Sequence, residues 1–127
     1  MQQVLLIAIG GAFGALSRFA LSTGVAALLG RDFPFGTLLV NVLGSLLIGG
    51  CYVLFTERAG DHEALRSLLV IGFLGALTTF STFSIETLQL IESGALARAA
   101  ISVIANVTLC LGACWIGLVT FRQMLNG

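Results

Sequence analysis

The sequence predicts an all-α integral membrane protein with four transmembrane helices, the third of them broken near its middle. Of the 127 residues, 57% are hydrophobic and 9% are charged, whereas a soluble domain carries roughly 25% charged residues. Four long apolar segments are each longer than the roughly 20 residues that cross a bilayer. Glycines followed by hydroxyl-bearing residues interrupt the third segment. The connections are too short to hold an extramembrane domain, so we interpret residues 1–127 as a single transmembrane domain.

Charged and turn-forming residues set the limits of the spans. The predicted spans are residues 4–29, 35–56, 65–90 and 95–121. The sequence Met1-Gln2-Gln3 lacks the positive charge that precedes a cleavable signal, so the first segment is interpreted as a retained span. We therefore expect a multi-pass protein of the cell (inner) membrane, surrounded by lipid.

The first span combines small residues with one deep arginine. Gly10 and Gly14 form a Gly-x-x-x-Gly motif, which lets helix backbones approach closely. Arg18 lies about 21 Å beyond Val4 along a helix that rises 1.5 Å per residue. Either the span is shifted so that Arg18 reaches an interface, or Arg18 forms an electropositive vestibule that attracts anions.

The second span carries a polar stripe. Thr37, Asn41 and Ser45 recur every four residues and therefore share one helix face. The Asn41 amide offers two hydrogen-bond donors and one carbonyl acceptor. The stripe fits either a contact between helices or a surface that presents donors to an anion.

The fourth span repeats this spacing with Ser102, Asn106 and Cys110. Together the two stripes could form walls of a polar path beside the third span. The three cysteines lack a Cys-x-x-Cys spacing and histidine partners, so a metal site of that kind is not indicated.

The third span is the most polar at membrane depth. Gly72 and Gly75 precede Thr78 and Thr79, where a helix is easily broken. Broken helices are tolerated in a membrane where the freed backbone groups find protein or ion partners. Freed carbonyl oxygens can coordinate a small cation.

Aromatic and hydroxyl residues follow this predicted break. Phe80 and Phe83 are three residues apart and would share a helix face. An aromatic ring has a positive edge, so ring edges turned to a narrow path favour an anion. The neighbouring polar residues are Ser81, Thr82, Ser84 and Glu86.

The arginines give little orientation signal. With four spans, Arg58, Arg66 and Arg122 share one side of the membrane, and Arg31 and Arg98 lie on the other. Orientation depends on a bias in such charges, so the chain is compatible with one weakly specified topology or with insertion both ways up. Dual insertion favours an antiparallel homodimer. There is no lysine and no basic run, so nucleic acid is not an expected partner.

Three segments together resemble the signatures of the Fluc (CrcB-like) fluoride channels. They are residues 10–18, 36–44 and 72–83, and their order and spacing match those signatures. Length and the four-span layout agree as well. The chain departs from the usual pattern at Phe19, where tyrosine is common, and at Ala76, where a second glycine is common.

The resemblance implies an antiparallel dimer that exports fluoride passively through two pores. Phe80 and Phe83 would meet fluoride with their ring edges, and Asn41 would donate a hydrogen bond to it. A polar track past the rings would consist of Ser81, Thr82 and Ser84. The backbone carbonyls of Gly75 and Thr78 from both subunits would hold a structural sodium ion at the dimer centre.

Other polar residues of the spans have vestibule or auxiliary roles in this interpretation. They are Arg18, Thr37, Glu86, Ser102 and Asn106. The alternative function is a proton-coupled small multidrug-type exporter, which needs a carboxylate in its binding chamber, usually on the first span; the first span here has none. Enzymatic activity is not indicated, because no nucleophile–base pair and no metal-ligand set is present.

Overall fold

The computed structural model describes residues 1–127 as an all-helical chain in which four helices are long and apolar enough to cross a membrane. The helices are α1 (Gln2–Leu29), α2 (Phe35–Glu57), α3 (residues 63–77), α4 (Ser81–Glu92) and α5 (Leu96–Asn126). Together α3 and α4 make up the third span, Glu63–Glu92. The predicted set of four long apolar helices is confirmed.

Glycines with positive φ angles end the turns between spans. Gly30 follows α1 with φ 83°, and Gly94 follows α4 with φ 85°. Only glycine adopts this left-handed region without a steric cost from a Cβ atom. These two residues therefore let the chain reverse within a few residues, as the short connections require.

The third span is interrupted where the sequence predicted a break. Thr78 has φ −85° and ψ 154°, an extended conformation, and α4 begins only at Ser81. The turns of α3 that precede the break, Ser67–Leu74, are wider than an α-helix and have π-type hydrogen bonding. The widened turns were not predicted. Such turns often occur in helices at functional sites.

Glycine contacts set the closest approaches between helices. A Cβ atom at Gly10 or Gly14 would collide with the carbonyl oxygens of Leu68 and Phe73 on α3. These glycines thus bring α1 directly onto α3, the close approach that the Gly-x-x-x-Gly motif predicted. Similarly, Gly117 of α5 lies against the carbonyl oxygen of Leu46 on α2.

The interior of a single chain is small. Only 19 of 127 residues are buried, and the apolar core cluster consists of Val40, Leu74 and Leu77. Most of the large apolar side chains on the outside of the helices are exposed. Such a surface suits contact with lipid or with another membrane-embedded chain.

Two polar contacts join the ends of the second and fourth spans. Arg122 donates from Nε to both carboxylate oxygens of Glu57 at 3.0 Å. Arg58 donates from Nη1 to the carbonyl oxygen of Leu125 at 3.1 Å. Because these residues are exposed to solvent at the span ends, the contacts add little stability and mainly fix the register of α2 against α5.

Candidate functional site

The break in the third span opens onto a cavity of about 520 Å³. Its lining combines residues of the break with residues of α2, α3, α4 and α5. The predicted site residues that it brings together are Asn41, Gly75, Thr78, Phe80, Phe83 and Asn106. Residues that lie 65 positions apart in sequence therefore meet in one groove.

Asn41 bridges the break through a two-point contact with the Thr79 backbone. The Thr79 N–H donates to Asn41 Oδ1 at 2.8 Å, and Asn41 Nδ2 donates to the Thr79 carbonyl oxygen at 3.0 Å. Thr79 is buried, and its N–H and C=O have left the helical hydrogen-bond pattern. An unpaired buried backbone group is costly, so the Asn41 amide stabilises the interrupted chain.

A second amide extends this network to α5. The Nδ2 group of Asn41 also donates to Asn106 Oδ1 at 3.1 Å, so both hydrogens of the Asn41 amide are bonded. Asn106 Nδ2 in turn donates to the carbonyl oxygen of Ser102 at 2.8 Å. The polar stripes of the second and fourth spans thus meet directly, amide to amide.

Two backbone carbonyls at the break have lost their helical donors. In a continuous helix the carbonyls of Gly75 and Thr78 would accept from the N–H groups of Thr79 and Thr82. Those N–H groups bond instead to Asn41 Oδ1 and to Thr79 Oγ1, at 2.8 and 3.2 Å. Gly75 and Thr78 both line the groove. Their oxygens are therefore free to accept from another partner.

The hydroxyl groups after the break form short local bonds. The Thr79 hydroxyl donates to Thr82 Oγ1 at 3.1 Å and lies 3.4 Å from Ser81 Oγ. Ser84 Oγ donates to the carbonyl oxygen of Phe80 at 2.9 Å. A hydroxyl also retains lone pairs, and it can rotate to redirect its hydrogen toward a new acceptor. Ser81 is exposed, whereas Thr82 and Ser84 are half-buried.

Phe80 and Phe83 lie together at the groove. Their ring centroids are 5.3 Å apart and the ring planes meet at 63°, an edge-to-face arrangement. Phe80 is 78% exposed in the single chain, although it lies in the middle of a membrane span. The edge of one ring therefore lies toward the face of the other, and the exposed Phe80 ring remains open to a partner.

A second cavity, of about 510 Å³, lies at the end of the spans near the first and third connections. Thr37 and Glu86 line it, and the Thr37 hydroxyl donates to Glu86 Oε1 at 2.6 Å. Thr37 is only 4% exposed. The lining also includes Arg31, Asp32 and Arg98, so the cavity contains two carboxylates and two guanidinium groups.

Comparison with known protein families assigns this chain to one of them. The family described as CrcB-like protein, Camphor Resistance (CrcB), matches residues 5–118, most of the chain. The chain belongs to the CrcB family. The family membership that the three sequence signatures indicated is confirmed.

Several CrcB relatives are named Fluoride-specific ion channel FluC. The chain is 51% identical to the one from Methylococcus capsulatus over 95% of its own length and 53% of the relative's. It is 50% identical to the one from Magnetococcus marinus, with 94% of this chain and 98% of the relative covered. A Coxiella burnetii relative is 47% identical over 95% of this chain and 98% of its own length. The chain therefore spans about half of the first relative and nearly all of the other two.

Five predicted residues of this CrcB chain lie outside both cavities: Arg18, Ser81, Thr82, Ser84 and Ser102. Arg18 is half-buried on α1 and lines neither of them. Ser102 is completely buried on α5, and its Oγ has no hydrogen-bond partner. Its backbone carbonyl, rather than its hydroxyl, enters the amide network. The vestibule and auxiliary roles of Arg18 and Ser102 remain predictions.

Sequence reasoning placed Thr79 at the break but missed its role in the CrcB site. Its backbone anchors Asn41, and its hydroxyl accepts from the Thr82 N–H at the start of α4. The two threonines before Phe80 were a usable signal, because threonine hydroxyls readily bond to nearby backbone groups. Arg31 and Arg98 were used only for topology, although both line the second cavity.

Proposed function

We propose that this chain is a fluoride-selective ion channel that lets fluoride leave the cytoplasm passively and so protects the cell from fluoride toxicity. The observation that carries this proposal is the similarity, at about 50% identity and over nearly the whole chain, to several proteins named Fluoride-specific ion channel FluC. A passive channel needs no catalytic residues. The site supports this function because the Asn41 amide and the rings of Phe80 and Phe83 line one groove between apolar helices.

The chemistry of the groove suits a small, strongly hydrated anion. A selective path must replace the hydration shell of the ion with close ligands and exclude larger ions. In this proposal, Asn41 donates an N–H group to fluoride, and the edges of Phe80 and Phe83 face it. Beyond the rings, the hydroxyls of Ser81, Thr82 and Ser84 continue the path.

The second cavity is the entrance in this proposal. Arg31 and Arg98 supply two guanidinium groups that attract an anion. The carboxylates of Asp32 and Glu86 lie among the same lining residues, with Glu86 bonded to Thr37. The Thr37 hydroxyl can turn from the carboxylate to an arriving anion. Arg18 would add positive charge on the first span.

A fluoride efflux assay tests the function. Liposomes loaded with fluoride and reconstituted with the protein are expected to release it down its electrochemical gradient. Chloride should be excluded by orders of magnitude, because the larger ion fits poorly among fixed ligands. Ion-selective electrodes measure both fluxes. Equal fluoride and chloride fluxes would contradict a fluoride channel, and fluoride efflux that requires a proton gradient would favour the proton-coupled exporter.

The channel is proposed to be an antiparallel homodimer. The groove at the break is open along one side of a single chain, and Phe80 is exposed within it. A second copy related by a two-fold axis in the membrane plane would close the groove and form two equivalent paths. The near balance of three arginines against two across the membrane supports insertion in both orientations.

Labelling from each side of the membrane tests dual insertion. A single cysteine introduced at Asp61, in the connection between the second and third spans, should react with an impermeant reagent applied from either side. The starting variant lacks the natural Cys51, Cys110 and Cys114. Since both orientations are expected, about half of the copies should react from each side. Reaction from one side only would reject dual insertion.

A structural sodium ion is proposed at the dimer centre, held by the carbonyl oxygens of Gly75 and Thr78 from both copies. These residues fit the ion, because the break has removed their helical donors and both line the open groove. Hard monovalent cations bind backbone carbonyl oxygens. Bound there, the ion would neutralise the repulsion among converging oxygens, which is poorly screened away from water.

Sodium removal is therefore expected to weaken the dimer. Because the site would exist only in the assembled dimer, ion binding stabilises that dimer by mass action. Exchange of sodium for the much larger N-methyl-D-glucamine cation should lower both the thermal stability of the dimer in detergent and its fluoride efflux. No sodium current should be detected. Unchanged stability and flux after verified sodium removal would count against the ion at Gly75 and Thr78.

A further inference from the structure

We propose that Asn106 is a positioning residue that holds one amide hydrogen of Asn41 while the path is empty and releases it to an arriving fluoride ion. The inference rests on the proposed channel function and assigns a specific role to a residue outside the third span. It starts from one observation: both Asn41 amide hydrogens are already bonded, one of them to Asn106.

The orientations of both amides follow from their fixed backbone partners. The Thr79 N–H can only donate, so the Asn41 atom that faces it at 2.8 Å must be the carbonyl oxygen. The Ser102 carbonyl can only accept, so the Asn106 atom that faces it at 2.8 Å must be the amide nitrogen. The remaining contact, Asn41 Nδ2 to Asn106 Oδ1, is therefore an N–H···O bond whose direction cannot be reversed without loss of another bond.

The two hydrogens of the Asn41 amide differ in how firmly they are held. One belongs to the two-point contact with the Thr79 backbone, at 2.8 and 3.0 Å. The other makes a single bond of 3.1 Å to Asn106. An anion that accepts the hydrogen bonded to Thr79 would leave the backbone carbonyl of the break unpaired. An anion that accepts the hydrogen bonded to Asn106 displaces only one neutral acceptor. The hydrogen facing Asn106 is thus the exchangeable one.

The location of this bond places it on the proposed path. Asn41 and Asn106 line the same groove as Phe80 and Phe83. Asn106 is only 8% exposed, and its bond to Ser102 keeps its oxygen aimed at Asn41. The N–H of the half-buried Asn41 amide therefore keeps a hydrogen-bond partner between the passage of one ion and the next, and the cost of an unpaired donor is avoided.

This competition also keeps fluoride from binding too tightly. Conduction requires an ion to bind well enough to enter and weakly enough to leave. An acceptor that returns to the vacated N–H favours ion release. Removing it should strengthen fluoride binding by about 2- to 10-fold, the range that the net contribution of one neutral hydrogen bond implies.

The test compares the fluoride dependence of flux in reconstituted wild-type protein and in Asn106→Leu, which removes the acceptor and preserves side-chain size. We expect the half-saturating fluoride concentration to fall about 2- to 10-fold in Asn106→Leu, with no rise in maximal flux. Asn126→Leu, the same exchange at an exposed position, is the matched control and should match wild type. Asn106→Asp keeps an acceptor but makes it negative, so its half-saturating concentration should rise.

A measurement on the wild-type protein does not depend on the folding of any variant. In the ¹⁵N spectrum, titration with fluoride should shift one Asn41 side-chain amide proton, the one facing Asn106, and leave the proton facing Thr79 in place. An unchanged half-saturating concentration in folded Asn106→Leu, or a fluoride shift at both protons or at neither, would overturn the inference. If wild-type protein passes no fluoride, the proposed function fails; if wild type conducts and these signals do not change, only the role of Asn106 fails.

Discussion

Replacing Phe80 or Phe83 with isoleucine is expected to lower fluoride efflux by at least about tenfold, which corresponds to ~1.4 kcal/mol of lost stabilisation along the path. Isoleucine keeps an apolar side chain at the groove but lacks the positive ring edge that favours an anion. The two rings also position each other, since their centroids lie 5.3 Å apart in an edge-to-face arrangement. Efflux from liposomes, measured with a fluoride electrode, gives the flux of each variant.

Assembly is the necessary control for the two phenylalanine variants. The Phe80→Ile and Phe83→Ile proteins should elute in gel filtration with the same oligomeric state as wild type, since isoleucine keeps an apolar side chain at both positions. Phe13→Ile makes the same exchange at an exposed phenylalanine of α1 and should leave flux unchanged. Wild-type flux in both groove variants would show that the ring edges do not contact the ion.

Asn41→Leu is expected to destabilise the protein as well as abolish transport. The substitution leaves the N–H and C=O of Thr79 without the partners that they have at 2.8 and 3.0 Å. Each unpaired buried backbone group costs about 1–3 kcal/mol, so the combined loss is about 2–6 kcal/mol. Such a loss is a large part of the stability of a typical domain. Thermal unfolding in detergent and fluoride efflux measure the two effects.

A conservative change on the same helix tests whether the loss of stability and transport in Asn41→Leu is specific to Asn41 or follows from any substitution in α2. Leu47→Val alters an exposed side chain of α2 that takes no part in the amide network, and it should keep both stability and flux near wild type. If Asn41→Leu were as stable as wild type, Asn41 would not support the break. If it were destabilised but still conducted fluoride selectively, Asn41 would not be a ligand of the ion.

The sequence was sufficient to predict the elements of the fold because their signals are local. Apolar length predicts a span, charged connections predict its ends, and the pairs Gly72–Gly75 and Thr78–Thr79 predict an interruption. The Gly10–Gly14 spacing predicts a close helix contact, and the structure brings both residues against α3. Each of these inferences uses residues within a single span or its adjoining connection.

The partners of the polar residues could not be predicted, because they depend on how distant spans pack. A four-residue spacing showed that Thr37 and Asn41 share a helix face, but not that their side chains bond to partners on different helices. Thr37 bonds to Glu86, 49 positions away, and Asn41 to Asn106, 65 positions away. The donor that the sequence assigned to fluoride is thus occupied by protein in the single chain. Only the three-dimensional arrangement shows which hydrogen bond of the Asn41 amide can be exchanged for a bond to the ion.

The interruption of the third span also creates an electrostatic asymmetry. Aligned peptide units give a helix a partial positive charge of about half an elementary charge at its N-terminus and an equal negative charge at its C-terminus. The C-terminus of α3, at Leu77, and the N-terminus of α4, at Ser81, are separated by only three residues. A continuous helix would cancel these opposite partial charges in its interior. The break instead leaves both of them in the middle of the membrane, the negative one beside the carbonyls of Gly75 and Thr78 and the positive one beside Phe80. One discontinuity therefore produces neighbouring fields of opposite sign, one that attracts a cation and one that attracts an anion, without a charged side chain at either position.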